Sequence, residues 1–154
     1  MKICFVIGTR PNFVKAAPVI REFNNTNKYE ISVIHTGQHY DKNMSDNIIK
    51  DLDMEYPDIN LNIGSGSHAV QTGKIMIKIE NILIELMPDW VVVFGDVNST
   101  LAASITAKKI HIKVAHIESG LRSGDLTMPE EINRLITDKI SDLCFVTEKS
   151  GVKN

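Results

Sequence analysis

The stretch Val114-Ala-His-Ile-Glu118-Ser-Gly120-Leu-Arg122-Ser-Gly124-Asp-Leu-Thr-Met-Pro129-Glu-Glu-Ile-Asn-Arg134 decides how the chain is to be read. A short apolar run, Val114 to Ile117, stops at Glu118. A polar loop with two glycines follows, and Pro129 then opens an amphipathic segment, proline being well suited to the first turn of a helix, where its missing N–H has no partner to lose. The order is strand, loop, helix. Three acids (Glu118, Glu130 and Glu131) and two arginines (Arg122 and Arg134) sit in or beside the loop. Carboxylates and guanidiniums gathered at a strand end point to chemistry on a polar, phosphorylated substrate.

The same unit recurs outward in both directions. Ile3 to Ile7 is a continuous apolar run ended by Gly8-Thr9-Arg10-Pro11. Phe13, Ala16, Ala17, Ile20 and Phe23 then repeat at helical spacing until Asn24-Asn25-Thr26-Asn27. Ile31 to Ile34 gives way to His35-Thr36-Gly37-Gln38-His39-Tyr40, and a short helix is expected over residues 41–53. Residues 57–67 read as irregular or as a brief edge strand. From His68, the residues Ile75, Ile79, Ile82, Leu83 and Leu86 line one face of a helix that Pro88 breaks. Trp90 to Phe94 is a third strand, ending in Gly95-Asp96-Val97-Asn98-Ser99-Thr100 before an alanine-rich helix through about Lys109, which Asn98 or Ser99 can cap. Lys113 to Ile117 is the fourth strand and Leu143 to Val146 the fifth.

Strands that are apolar throughout belong to sheets covered on both faces. Their alternation with helices, joined by right-handed crossovers, predicts an α/β, doubly wound parallel sheet. The carboxyl ends of all strands then share one edge. That edge collects Arg10, His35, Gln38, His39, Asp96, Glu118 and Glu148, and the crevice there is where such sheets bind ligands.

The chain has 154 residues, enough for one domain with a real core. With 43% hydrophobic and 23% charged residues and a net charge of −2, nothing favours a nucleic-acid partner. There is no apolar run of membrane-spanning length and no signal-peptide architecture, so the expected location is cytoplasmic. Cys4 and Cys144 lie in apolar runs without metal-ligand or CxxC spacing, so both are expected to be buried, reduced thiols. His35 and His39 lack paired ligand spacing, and neither a metal nor a cofactor is expected.

The individual constellations admit more than one reading. Gly8-Thr9-Arg10-Pro11 lacks the glycine pattern of dinucleotide folds and the Gly-Lys-Ser/Thr of a P-loop. Arg10 and Lys15 can reach an anion at the helix start, or simply be solvated. Asp96 can cap the next helix or act chemically. No helix begins just after Glu118, and a carboxylate at the end of a buried strand is costly unless paired or useful. Thr127-Met-Pro-Glu130 matches a capping box, which would explain Glu130 structurally. Arg122 and Arg134 read as surface residues or partners of the acids, and His116 as a satisfied core histidine.

Five motifs, taken in order, carry a resemblance. Gly8-Thr9-Arg10-Pro11, Thr36-Gly37-Gln38-His39, Gly95-Asp96-x-Asn-Ser-Thr, His116-Ile-Glu-Ser-Gly-Leu-Arg-Ser-Gly-Asp and Met128-Pro-Glu-Glu-Ile-Asn-Arg134 closely resemble those of the non-hydrolysing UDP-N-acetylglucosamine 2-epimerases. The likeness covers residues 1 to about 150 and corresponds to the family's N-terminal domain. It implies one Rossmann-like half of a GT-B-type fold over residues 1–154, with the C-terminal nucleotide-binding domain absent from this chain. It also implies an enzyme interconverting UDP-N-acetylglucosamine and UDP-N-acetylmannosamine by UDP elimination and re-addition, homodimeric when full-length and inactive without the second domain. The mannosamine product feeds surface polysaccharides. By the same resemblance Asp96, Glu118 and Glu130 are the catalytic acids, Arg10 and Lys15 line the nucleotide-sugar site, and Gln38 belongs to a regulatory nucleotide-sugar site of bacterial members. Two positions depart from the pattern: Asn12 stands where glutamate is usual, removing a charge pairing near Arg10, and Asp41 stands where an amide is expected. A non-catalytic nucleotide-sugar binding module and half of a GT-B glycosyltransferase are the rival readings, the second disfavoured by the three acids.

Overall fold

A computed structural model describes residues 1–37, 49–52 and 54–154. Its strands are β1 (Lys2–Ile7), β2 (Glu30–His35), β3 (Ile59–Asn60), β4 (Trp90–Phe94), β5 (Lys113–Ser119) and β6 (Leu143–Val146). Its helices are α1 (Arg10–Thr26), α2 (His68–Leu86), α3 (Asn98–Lys109) and α4 (Pro129–Ile140), and a 3-10 turn spans Gly151–Lys153. The strands form one sheet in the order β3-β2-β1-β4-β5-β6, with every neighbouring pair parallel. This is the expected doubly wound, Rossmann-like α/β sheet. Its strand order reverses between β1 and β4, and the crevice at that switch point is where ligands bind in such folds.

The strands were legible because side chains alternate between two apolar faces, so that a buried strand is apolar at nearly every position. Cys4, Val6, Ile34, Val91, Val93 and Val114 point towards α2 and α3, where Ile75, Ile79, Leu83, Ala102, Ala103 and Ala107 meet them. Ile3, Phe5, Ile7, Val33, Val92, Phe94 and Ala115 point the other way, onto Phe13, Ala16 and Ile20 of α1. α1 ends where the asparagine cluster predicts: Asn27 takes the left-handed conformation (φ 50°) and its N–H reaches the Asn24 carbonyl at 3.1 Å. The sixth strand is the short β3, the brief edge strand admitted for residues 57–67. It pairs Ile59 with Ile34 and Asn60 with His35. Most of the helix expected over 41–53 lies outside the described residues, of which 49–51 are helical.

Two expectations about burial are corrected. Cys4 is buried, and burial above all pushes its thiol up to about 12, but Cys144 is exposed. β6 forms the edge of the sheet, so its alternation has no further strand to shelter it. Leu143 and Phe145 on its other side are 47% and 53% exposed and border an apolar groove of about 580 Å³ with Ile3, Trp90, Val92 and Ile117. The second correction concerns α4, whose amphipathic pattern is inverted. It buries Glu131, Asn133 and Thr137 and exposes Ile132 and Ile136. Among the described residues no helix is long and apolar enough to cross a membrane.

Candidate active site

The β1–α1 turn is built around Asn12, which is 2% exposed. Its side-chain oxygen accepts from the N–H groups of Gly8 (3.3 Å) and Thr9 (3.1 Å) and from the Thr9 hydroxyl (3.1 Å). Its amide nitrogen donates to the Phe94 carbonyl at 3.0 Å, tying this turn to the end of β4. A glutamate could not donate that last bond while ionised. The departure at position 12 thus exchanges a charge for a group that both accepts and donates. Arg10 stands exposed at the start of α1, without an ion pair among the described residues. Lys15, one turn further on, reaches across the switch point and forms an ion pair with Glu118.

Glu118 owes its direction to a β-bulge. The β5–β6 register runs Ile117 opposite Phe145 and then Ser119 opposite Val146, leaving Glu118 unmatched. Its φ of 69° lies in the left-handed region, uncommon for a residue with a Cβ. Bulges of this kind re-aim a side chain, and the backbone strain costs on the order of 1–3 kcal/mol. The carboxylate lands over Gly95. A Cβ at Gly95 would lie 3.2 Å from a Glu118 carboxylate oxygen, 3.5 Å from the Lys15 ammonium and 3.7 Å from the Asn12 amide nitrogen. Gly95 also has φ 64°, so glycine is required there for both backbone freedom and space.

Asp96 follows directly. It caps nothing: the N-cap of α3 is Val97, with Asn98 and Ser99 already inside the helix. Its carboxylate is instead paired with Arg134, which is also paired with Glu131. The Asp96 carbonyl accepts from the Asn133 side chain at 2.8 Å. Arg134 is therefore a partner of the acids, one of its two sequence readings. Glu131, 2% exposed, accepts from the N–H groups of Ser123 (3.1 Å) and Gly124 (3.3 Å), fastening the loop. The Ser123 amide bond leads in holding this carboxyl below its ordinary range; burial opposes it, while the Gly124 amide, the Ser123 hydroxyl and Arg134 assist.

The two adjacent glutamates have different fates. The capping box at Thr127 does not form: the N-cap of α4 is Met128, and the Thr127 hydroxyl donates to Asp125 at 2.6 Å. Glu130 is thus left half-buried in the first turn of α4, free of that structural duty and with no ion pair or hydrogen bond among the described residues. Glu131 is the structural member of the pair.

The structure gathers Lys15, Glu118 and the Gly95–Asp96 turn at the switch point, and it places Glu130 on the helix that delivers Arg134 to Asp96. No hydrogen bond joins the Glu130 side chain to the other two acids among the described residues. His35 ends β2 at that edge but is buried there: it is 6% exposed, with the Phe13 ring at 4.9 Å. Burial pushes its imidazole below the usual value, against a smaller opposing effect of the Gly8 backbone. Glu148 is exposed, and its carboxylate accepts from the Ser150 hydroxyl at 3.3 Å. Gln38 and His39 lie outside the described residues.

Sequence reasoning missed Asp138. It meets His116, Arg122 and the Gly120 N–H at 2.6, 2.6 and 3.0 Å. The available signal was its place one helical turn after Arg134, on a helix whose acids recur at positions 131 and 138.

Together these features define a Rossmann-like α/β domain whose ligand edge is built from carboxylates and paired cations rather than from a glycine-rich dinucleotide loop. The family model described as UDP-N-acetylglucosamine 2-epimerase matches residues 21–154, and the chain belongs to that family. It is 51% identical over 151 residues to a UDP-N-acetylglucosamine 2-epimerase homolog of Methanococcus maripaludis, covering 98% of this chain and 42% of that one. It is 42% identical to the UDP-2,3-diacetamido-2,3-dideoxy-D-glucuronate 2-epimerase of Pseudomonas aeruginosa, covering 100% of this chain and 44% of the relative. The crystal structure of Methanocaldococcus jannaschii UDP-GlcNAc 2-epimerase in complex with UDP-GlcNAc and UDP superposes with a TM-score of 0.96 at 46% identity, over 99% of this chain and 42% of that one. The chain thus spans about two fifths of the length of these relatives and has the fold expected of one half of a GT-B-type enzyme.

Proposed function

We propose that residues 1–154 form the N-terminal domain of a UDP-N-acetylglucosamine 2-epimerase, and that a C-terminal nucleotide-binding domain completes the site. The reading rests on one observation above the others: Lys15, Glu118 and the turn carrying Asp96 converge at the switch point of the sheet. The chemistry accounts for such a cluster. The hydrogen on sugar C2 is not adjacent to a carbonyl, so direct abstraction is hard. Departure of UDP places positive charge at C1 and acidifies that proton, and its loss gives a glucal-like intermediate. Protonation of C2 from the opposite face and return of UDP complete the epimerisation. This path needs carboxylates in different protonation states around one ring and cations near the leaving diphosphate.

In this proposal Asp96, Glu118 and Glu130 carry the acid–base steps, while Arg10 and Lys15 meet the nucleotide sugar. Glu118 and Asp96 are held by cations, whereas Glu130 is unpaired among the described residues, so the three acids sit in unlike environments. UDP-N-acetylglucosamine is the proposed substrate because the superposed M. jannaschii structure is named for it. The P. aeruginosa relative is named for a diacetamido glucuronate, so the shared element is chemistry at C2. The complete enzyme is proposed to be a cytoplasmic homodimer, and the isolated chain is expected not to turn over. The test is exchange in heavy water with the chain joined to its C-terminal domain. Deuterium at C2 of UDP-N-acetylglucosamine is expected; binding of UDP without exchange would replace the epimerase with a binding module.

A further inference from the structure

His116 lies in the middle of β5 with no solvent exposure, yet both of its ring nitrogens face oxygen atoms. Nδ1 lies 2.6 Å from a carboxylate oxygen of Asp138, and Nε2 lies 2.7 Å from the carbonyl oxygen of Gly95. A carbonyl oxygen can only accept, so Nε2 must carry a proton. The Asp138 carboxylate is itself acceptor-only. Burial works to raise its pKa, but bonds from His116, Arg122 and Gly120 outweigh burial and hold it below the usual carboxylate range. Nδ1 must therefore carry a proton as well. A neutral ring would set a nitrogen lone pair against an oxygen lone pair in a buried site, where an unmade hydrogen bond is most costly. The titratable or charged groups around the ring are Asp138 from α4, with Arg122 of the loop on that carboxylate, and Cys144, which stands opposite His116 in the β5–β6 ladder with its thiol directed at the Asp138 carbonyl.

What the ring holds is as informative as how it is protonated. Gly95 immediately precedes Asp96, and its carbonyl is fixed by His116 while its N–H is fixed by the Ile117 carbonyl at 3.0 Å. Asp138, anchored by the same ring, accepts from the Gly120 N–H two residues after Glu118. Gly95, Glu118 and Gly120 all have left-handed backbone, at φ 64°, 69° and 79°. Two turns with left-handed backbone on neighbouring strands, each bearing a proposed catalytic acid, are thus fastened to one buried imidazole.

We propose that His116 is a positioning residue: a doubly protonated imidazole that pins the Asp96 turn directly and the Glu118 turn through Asp138. Its effect on turnover rests on the epimerase reading, whereas its protonation rests on the hydrogen-bond geometry of the ring and on an ionised Asp138. NMR of the histidine ring nitrogens in the 154-residue chain at neutral pH is expected to show a proton on both nitrogens of His116; a proton on only one overturns the proposal. In the complete enzyme, His116→Gln is expected to lower kcat for C2 deuterium exchange about 10²-fold, the order expected for misplacement of reacting groups by about an ångström, with little change in KM. A variant that lost only thermal stability, keeping kcat, would show a packing role and overturn the positioning role. Should the unsubstituted complete enzyme show no exchange, the epimerase reading falls, and the NMR result still decides the state of His116.

Discussion

Helices α2 and α4 both pack against α3, and they do so by opposite means. α2 presents Ile75, Ile79 and Leu83 to the core, each fully buried, and turns Lys74 and Glu85 to solvent. α4 presents Glu131, Asn133 and Thr137 to the interior and leaves Ile132 and Ile136 in the open. Burial of apolar surface explains most of the first helix, although it also buries Gln71 near its start and exposes Ile77 and Ile84. The second cannot be explained that way: its buried Glu131 and Asn133 are satisfied by the Asp96 turn, the loop amides and Arg134, while the buried Thr137 hydroxyl has no hydrogen-bond partner among the described residues. The lesson is that α2 holds the sheet together, whereas α4 holds the rim of the candidate site in shape.

That contrast can be broken by substitution. The largest effect is expected at Glu130. Glu130→Gln in the complete enzyme should slow C2 exchange by about 10²- to 10⁴-fold, the usual contribution of a general acid or base. Calorimetry should find its stability within about 0.5 kcal/mol of the parent, as for surface changes away from structural features. Its neighbour should behave in the reverse way. Glu131→Ala strands Arg134 and two loop amides, and loss of one member of a buried pair costs about 3–5 kcal/mol, readable as a lowered urea midpoint. Ile79→Ala in α2 should cost about 2–5 kcal/mol through the cavity it leaves, with unchanged kcat in the fraction that remains folded. Finally, the Glu131 carboxyl is held below its ordinary range in the folded chain. It therefore stabilises the fold at pH values above the unfolded carboxyl value of about 4.3, and that contribution disappears as pH falls through the lower folded value. Glu131→Gln should flatten this part of the acid-unfolding profile, measured by circular dichroism.

The sequence revealed what depends on unbroken apolar runs, and little of what depends on buried polarity. β4 is found at the residues where its Trp-Val-Val-Val-Phe run predicts it, because a strand with helices on both faces has no polar position to obscure it. β3 has only two residues and could be foreseen only as one of two possibilities. Cys144 misled because an apolar run signals a strand without saying whether that strand lies at the edge. Thr127 misled because the cap pattern was satisfied on paper, while the helix takes Met128 as its N-cap and the Thr127 hydroxyl donates to Asp125 instead. Asp96 and Glu118 were legible as acids at strand ends, but their partners were not. Arg134 lies 38 positions from Asp96, and Lys15 lies 103 from Glu118, separations across which no local spacing rule operates.

The unmatched residue in β5 has a consequence for how the chain tolerates change. Removing one residue beside position 118 would let the ladder with β6 close evenly, and a shift of one in a strand turns each following side chain to the opposite face. Every acid in the neighbourhood could survive such a deletion in name and still be aimed at the wrong place. Insertions and deletions here should therefore be purged more strictly than replacements, since what must be inherited is a count as much as an alphabet.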